Sequence, residues 1–519
     1  MPAARPARAI VLVAAGLLVA IAVWLFGLWY FSPWVAHNDF AILRLRLERV
    51  LDGDPGLVGA YSRLDVFHPG PALEWLFAVP YWASGRRAAA LPATALVLNL
   101  AWVALALTIA WRRRSAWIGS VTAAGLAVLL IALRDQLDSP WNPHLAVLPL
   151  FVATAATVLV LDGSRRAWIV AVGAASFAAQ LHASAALVAG ALFVAVVVGE
   201  WRADDGRRWW RSFALGAVLW IGPIVDLFHG TDANLVRIVT SDGGDRLGLL
   251  DGWGALARIL WLPSILDGAA ADPTASLLSG FGLWWLLGVA AVVVVGVVRC
   301  VGPMRHVAAV AAAGLAAASV SVVAFFEPPY AYLFAPLQSS AAFAFVAAVA
   351  VVVRLTTGRS MLPERVGTIA VGVAAVACVV SVAATSRHDH ESAARREMAI
   401  DRAVGDHLEE HPGWREVDVV GLDLVAANPV AEVAELLVRR GRVPRSNDPT
   451  LDLDPLAPGV PVYVVAMGAG LDCLLDAGAD PLTEGRVPSV DAPVAVFAFD
   501  VDRVGLLTAC APEFADIEL

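Results

Sequence analysis

Asp39 stands directly behind a long apolar run, in the stretch His37-Asn38-Asp39-Phe40. A carboxylate placed there can take a proton from an incoming hydroxyl, which is the work of a general base. It can equally cap a helix beginning at Phe40, because Asp is favoured at that position. Further along the same stretch come Tyr61-Ser62-Arg63 and Phe67-His68-Pro69-Gly70-Pro71. A second polar segment runs Arg134-Asp135-Gln136-Leu137-Asp138-Ser139-Pro140-Trp141-Asn142-Pro143-His144, and a third reads Gln180-Leu181-His182-Ala183-Ser184. Each has a bland reading too: a turn capped by Asp138, or a satisfied polar pair at a helical hairpin. Arginine forks hold phosphate oxygens bidentately, which lysine does less well. Taken together, these residue types suit sugar transfer from a lipid-phosphate donor. Asp39 would accept the proton of the acceptor hydroxyl, and Arg63, His68 or Arg134 would meet the charge of the departing phosphate. No His/Cys cluster with metal-ligand spacing accompanies them, so neither a metal nor another cofactor is assigned. His388-Asp389-His390 is the nearest imitation and reads as a solvated linker.

The elements that must position these groups are membrane helices. Of 519 residues, 59% are hydrophobic and only 16% charged, with a mean hydropathy of +0.71. Soluble domains carry about 25% charged residues, so an ordinary soluble protein, a disordered chain and a nucleic-acid binder are excluded. A helix needs about 20 apolar residues to cross the hydrocarbon core. Eleven stretches qualify: 9–31, 89–111, 116–133, 145–161, 167–182, 184–200, 213–229, 276–298, 306–326, 330–353 and 366–385. All 37 basic residues are arginine, and a cytoplasmic N-terminus places 16 of the 26 arginines in residues 1–386 on the inner side, as the positive-inside rule requires. Residues 71–84 contain Glu74 and Pro80 and read as an interfacial helix on the outer face. This topology gives outer loops at 32–88, 134–144 and 231–275, so the three polar segments share one face. Polar residues gathered near membrane depth point to function. The third loop, with Arg237, Asp242-Gly243-Gly244-Asp245 and Arg246, reads either as a lid or as an ordinary surface loop.

Charge divides the chain near residue 387. Residues 387–519 hold 11 arginines against 25 acids, a net of −14, whereas residues 1–386 hold 26 against 21, a net of +5. An odd number of spans puts the acidic part outside the cytoplasm. Its pattern predicts a small α/β domain, with helices over 391–411 and 429–441 and strands over 416–425, 460–467 and 492–499. Cys473 and Cys510 both fall there, on the oxidising side, where they are either bridged or two free thiols. The excess of acid argues against direct work on an anionic acceptor or lipid surface.

A span followed at once by an acidic residue, then a long outer loop with interfacial helices and a second polar outer loop, resembles the GT-C superfamily of membrane glycosyltransferases. Within it, the similar branch comprises protein O-mannosyltransferases, aminoarabinose transferases and arabinofuranosyltransferases of mycobacterial-type walls. The resemblance rests on residues 38–46, Tyr61-Ser62-Arg63, Phe67 to Pro71, Ser139 to His144 and Gln180-Leu181-His182, and covers about residues 8–230. It implies a mostly α polytopic fold and a polyprenyl-phosphate sugar donor in the plasma membrane. The implied acceptor is an extracytoplasmic cell-wall glycan, glycolipid or protein. Asp39 would be the base, Asp138 or Asp135 the second acid, and Asn38, Trp141, Asn142, His144, Gln180 and His182 would line the substrate. Many members show paired acids after the first span, whereas here Asn38 precedes Asp39. Two rival functions remain. A transporter or lipid flippase would need ionisable residues at mid-membrane and repeated broken helices. A non-catalytic scaffold would leave Asp39 as a helix cap and nothing more.

Overall fold

The computed structural model describes Val23, Gly27, Trp34 and residues 36–62, 66–111, 115–134, 136–203, 208–240, 245–261, 281–325, 330–357, 363–385, 390–422, 429–446, 448, 451, 453–457, 460–487, 492–499 and 510. Six helices among these residues are long and apolar enough to cross a membrane: Ala90–Trp111, Asn142–Leu161, Ala183–Ala203, Gly282–Arg299, Pro303–Val323 and Ala331–Thr357. A bent pair, Trp210–Leu219 and Ile221–Gly230, meets at 77° and is a seventh crossing if it forms one span. Pro223 accounts for the break, since it has no N–H to give the Leu219 carbonyl one turn earlier. Length and composition thus support six or seven of the eleven expected crossings. The expected spans 116–133 and 167–182 fold as helices of 17 and 15 residues, Ala116–Ala132 and Ala167–Leu181, shorter than the ~20 residues that a bilayer core demands. The expected span 366–385 forms part of the helix Pro363–Thr385. The first expected span, 9–31, lies outside the described residues except for Val23 and Gly27.

Two short helices follow the first expected span. Asp39–Leu51 buries both Arg44 and Arg46 along with its leucines. Ala72–Ala83 has 12 residues, about 18 Å at the usual rise, too short to cross. It buries Leu73, Phe77 and Tyr81 while Leu76, Val79 and Trp82 stay exposed, the pattern of a helix with one face turned to lipid. Within the expected third outer loop, the helix Gly248–Ile259 buries Gly252, Ala255 and Leu256 and packs against Pro303–Val323. That part is packed helix rather than free loop, while Asp242-Gly243-Gly244 and 262–275 lie outside the described residues.

Near the C-terminus, five strands form a mixed sheet in the order Val443–Arg445, Glu416–Leu422, Val462–Met467, Ala492–Phe499, Thr483–Val487. The first three run parallel, and Ala492–Phe499 runs antiparallel to both of its neighbours. The helices His390–Glu410 and Pro429–Arg439 fall where expected; Cys473 and Cys510 are bonded to each other. One face of the sheet carries its own apolar cluster, including Val464, Leu474 and Phe497. The other face belongs to the same continuous core as the membrane helices. Between that face and the rest of the body lies Pro429–Arg439, buried on every side from Val430 to Leu437 and packed on Asp39–Leu51. The acidic segment therefore does not stand off in water. Its net charge hides the inward pairing of acids such as Glu435, which meets Arg44 at 2.5 Å with both side chains almost wholly buried.

Candidate active site

Asp39 is the first residue of its helix, and Asn38 occupies the cap position without a side-chain capping bond. Asp39 is thus not the cap that the sequence allowed for, and its carboxylate is engaged elsewhere, by a hydrogen bond from Trp141 in the second polar segment. Asp39 is exposed at the surface, although many protein atoms lie around its carboxyl group. That burial lifts its pKa above the ordinary carboxylate value, and the Trp141 bond offsets part of the rise.

From Trp141 the contacts run on through rings. Trp141 lies 5.0 Å from His144 and 5.2 Å from Tyr332, measured between ring centroids. Tyr332 lies 6.0 Å from His182, and His182 lies 4.7 Å from His68. Each histidine is held through Nδ1: His68 accepts the Ala183 N–H at 3.4 Å, His144 lies 3.0 Å from the Ser139 hydroxyl, and His182 lies 2.7 Å from the Ser184 hydroxyl. His182 Nε2 is buried without a hydrogen-bond partner among the described residues. Burial, helped by the nearby Arg46 cation, holds His68 down at about 4. At neutral pH His68 therefore carries an N–H and no positive charge.

The third polar segment is tied in by backbone and amide groups. Asn142 donates from Nδ2 to the Leu181 carbonyl at 2.8 Å, and the Gly70 N–H donates to the Gln180 carbonyl at 3.3 Å. A Cβ on Gly70 would collide with the Gln180 side chain, so the Pro-Gly-Pro turn needs its glycine. Gln180 donates from Nε2 to the Leu219 carbonyl at 2.9 Å, the group that Pro223 leaves free. A polar side chain thus repairs a broken helix by taking up its freed carbonyl. Beside it, an apolar cavity of about 460 Å³ opens between Ala167–Leu181, Ala186–Ala203 and the broken pair, lined by residues including Ala179, Ala186, Phe193, Phe213, Trp220 and Ile224.

Asp138 lies in the turn before Trp141, buried, with Oδ2 lacking a hydrogen-bond partner among the described residues. Burial pushes its pKa up to about 7. Arg134 sits half-buried just past Ala116–Ala132, whereas Arg63 and Asp135 lie outside the described residues. Two cations near Asp39 are already committed: Arg44 to Glu435, and Arg46 to Glu74 at 3.0 Å and to the Val58 carbonyl at 2.7 Å.

No protein-family model matches the chain, and no curated protein matches it in sequence. Solved structures do match. ArnT from Cupriavidus metallidurans bound to undecaprenyl phosphate superposes with a TM-score of 0.52 over 93% of this chain and 97% of its own, at 14% identity. The apo state of the same ArnT gives a TM-score of 0.50 over 94% and 99%, at 12% identity. The chain has the ArnT fold. The likeness agrees with the fold that the resemblance around Asp39 implied, and it runs beyond residues 8–230 to nearly the whole length.

Several residues at the site escaped the sequence reading. Tyr332 bridges Trp141 and His182, yet in Pro329-Tyr330-Ala331-Tyr332-Leu333 it reads as the start of an apolar span. Asn234 staples the first loop to the third, donating to the Phe67 carbonyl at 3.0 Å and accepting its N–H at 2.8 Å. Glu432 accepts the Asn38 N–H at 3.4 Å from the far end of the chain; nothing in an acidic tail signals that contact.

Proposed function

We propose that the chain is a membrane glycosyltransferase that moves a sugar from a polyprenyl-phosphate donor to an extracytoplasmic glycan, glycolipid or protein. The observation that carries this reading is the near-full-length likeness to ArnT, whose structure holds undecaprenyl phosphate. A fold alone does not assign chemistry, so the residues supply the mechanism. The acceptor oxygen attacks the anomeric carbon as the bond from that carbon to the phosphate oxygen breaks. The phosphate leaves on its lipid, and the acceptor proton passes to Asp39. A raised carboxyl pKa suits a base, bringing its proton affinity closer to that of the group it serves. Asp138, with a pKa of about 7, is the second acid, able to hold a hydrogen bond to the donor as either donor or acceptor. Arg63 and Arg134 hold the phosphate, and His68 adds an N–H. Asn38, Trp141, Asn142, His144, Gln180 and His182 surround the sugar, the amide groups of Asn142 and Gln180 acting mainly to hold the wall in place. The apolar cavity beside Gln180 is where a prenyl chain can lie. The protein works in the plasma membrane with its N-terminus cytoplasmic and its C-terminal sheet outside.

The test is transfer by the purified protein in lipid vesicles, supplied with a panel of polyprenyl-phosphate sugars. Wild type should consume one of them and release polyprenyl phosphate, and Asp39→Asn should lose about 10²–10⁴-fold in rate, the usual weight of a general base. Inactivity across the panel would overturn the reading. Full activity in Asp39→Asn would move the base to Asp138.

A further inference from the structure

We propose that Glu432, in the C-terminal sheet region, is a positioning residue for Asp39, so that the site is incomplete without the chain beyond the membrane body. This rests on Asp39 being the base.

The argument begins at Asn38. Its backbone has φ 48° and ψ −127°, a combination that a side-chain-bearing residue adopts only when its surroundings impose it. This strained peptide immediately precedes Asp39 and sets the direction in which the Asp39 side chain leaves the helix. The Asn38 side chain makes no capping bond. Its N–H instead donates to Glu432 Oε1 at 3.4 Å, across 394 residues of sequence.

Glu432 is itself firmly placed. It is almost fully buried, on a helix enclosed on every side from Val430 to Leu437. One turn on, Glu435 meets Arg44 at 2.5 Å and Arg439 at 3.0 Å. Arg44 donates to the Tyr81 hydroxyl at 2.7 Å and to the Arg86 carbonyl at 2.9 Å, and Tyr81 donates to Glu48 at 2.6 Å. These ion pairs and hydrogen bonds form one connected network, and connected buried networks fix geometry. Glu432 reaches from that network to the one peptide whose rotation would carry Asp39 away from Trp141. Its bond is to the peptide before Asp39, so it acts on position and not on the reacting atoms.

The experiment measures transfer by the full chain in vesicles for wild type, Glu432→Ala, Glu432→Gln and Asp39→Asn, each normalised to folded protein. Glu432→Ala should lower kcat about tenfold or more while KM for the donor stays within about twofold. It should also displace the acid limb of the pH–rate profile, because Asp39 loses its fixed relation to Trp141. Glu432→Gln keeps an acceptor oxygen and should restore most of the rate and the wild-type profile. A purely structural role would lower the yield of folded protein and leave kcat and the profile unchanged. Should Glu432→Ala not fold, Glu432→Asp keeps the charge but shortens the reach, and a wild-type kcat in that variant overturns the proposal. Wild-type kcat in Glu432→Ala with Asp39→Asn inactive overturns this proposal alone; activity in Asp39→Asn overturns the base assignment beneath it.

Discussion

Two buried polar regions meet at Asp39, and they are built in opposite ways. The seam between Asp39–Leu51 and Pro429–Arg439 is made of paired charges: Arg44 and Arg439 on Glu435, with Arg86 on Glu48 at 2.5 Å beside them. The cluster around Trp141 and His182 is made of rings and amides, with His68 neutral at pH 7. It leaves His182 Nε2, Asp138 Oδ2 and Gln180 Oε1 buried without hydrogen-bond partners among the described residues. Buried polar atoms are almost always satisfied, so exceptions call for an explanation. Paired charges hold the seam together, whereas the cluster presents rings and amides whose unpartnered polar atoms a bound group could meet. The same carboxylate thus lies between a charge-paired seam on one side and a cluster of rings and amides on the other.

The contrast can be broken by substitution. Arg44→Ala should act on the seam, destabilising the protein by about 3–5 kcal/mol because Glu435 loses a buried counter-charge. Thermal unfolding would measure this, and a change within about 0.5 kcal/mol would show that the seam is not an anchor. Gly70→Ala should act on the cluster, forcing the first loop away from Gln180 at about 1–3 kcal/mol, the usual cost of overpacking. Its transfer rate should fall more than its stability does; the reverse order would deny that the Gly70–Gln180 approach shapes the site. Asp418 belongs to neither region and sharpens the comparison as a control. It is fully buried, and burial pushes its pKa up to about 6. Since the folded value exceeds the unfolded ~3.9, its contribution to stability is complete below that value and is lost as pH rises through about 6. Asp418→Asn should therefore raise the melting temperature at pH 8 and change it little at pH 4, leaving transfer intact. Equal shifts at both pH values would contradict this.

Much of this was legible in the sequence because hydropathy and turn chemistry are local. The apolar runs mark the helices, the Pro-Gly-Pro and Ser-Pro-Trp-Asn-Pro-His segments mark ordered outer turns, and alternation marks three strands of the C-terminal sheet. What was not legible depends on pairing across the chain. A charge count treats Glu432 and Glu435 as part of a solvated acidic tail, although both face inward. Arg44 and Arg46 look like the polar face of an amphipathic helix, yet each is buried against a carboxylate. Pro223 signals a break, but not that Gln180 repairs it. The short edge strands Val443–Arg445 and Thr483–Val487 carry too few apolar residues to declare themselves.

The central claim is that Asp39 takes the proton as a sugar leaves a polyprenyl phosphate. The direct measurement is the pH dependence of polyprenyl phosphate release from the donor in vesicles, with wild type and Asp39→Asn side by side. Because burial raises the Asp39 pKa, the wild-type rate should fall as pH drops through a midpoint above the usual ~3.9 of an aspartate, and Asp39→Asn should stay near background at every pH. Release by Asp39→Asn at the wild-type rate, with the same pH profile, would contradict the account.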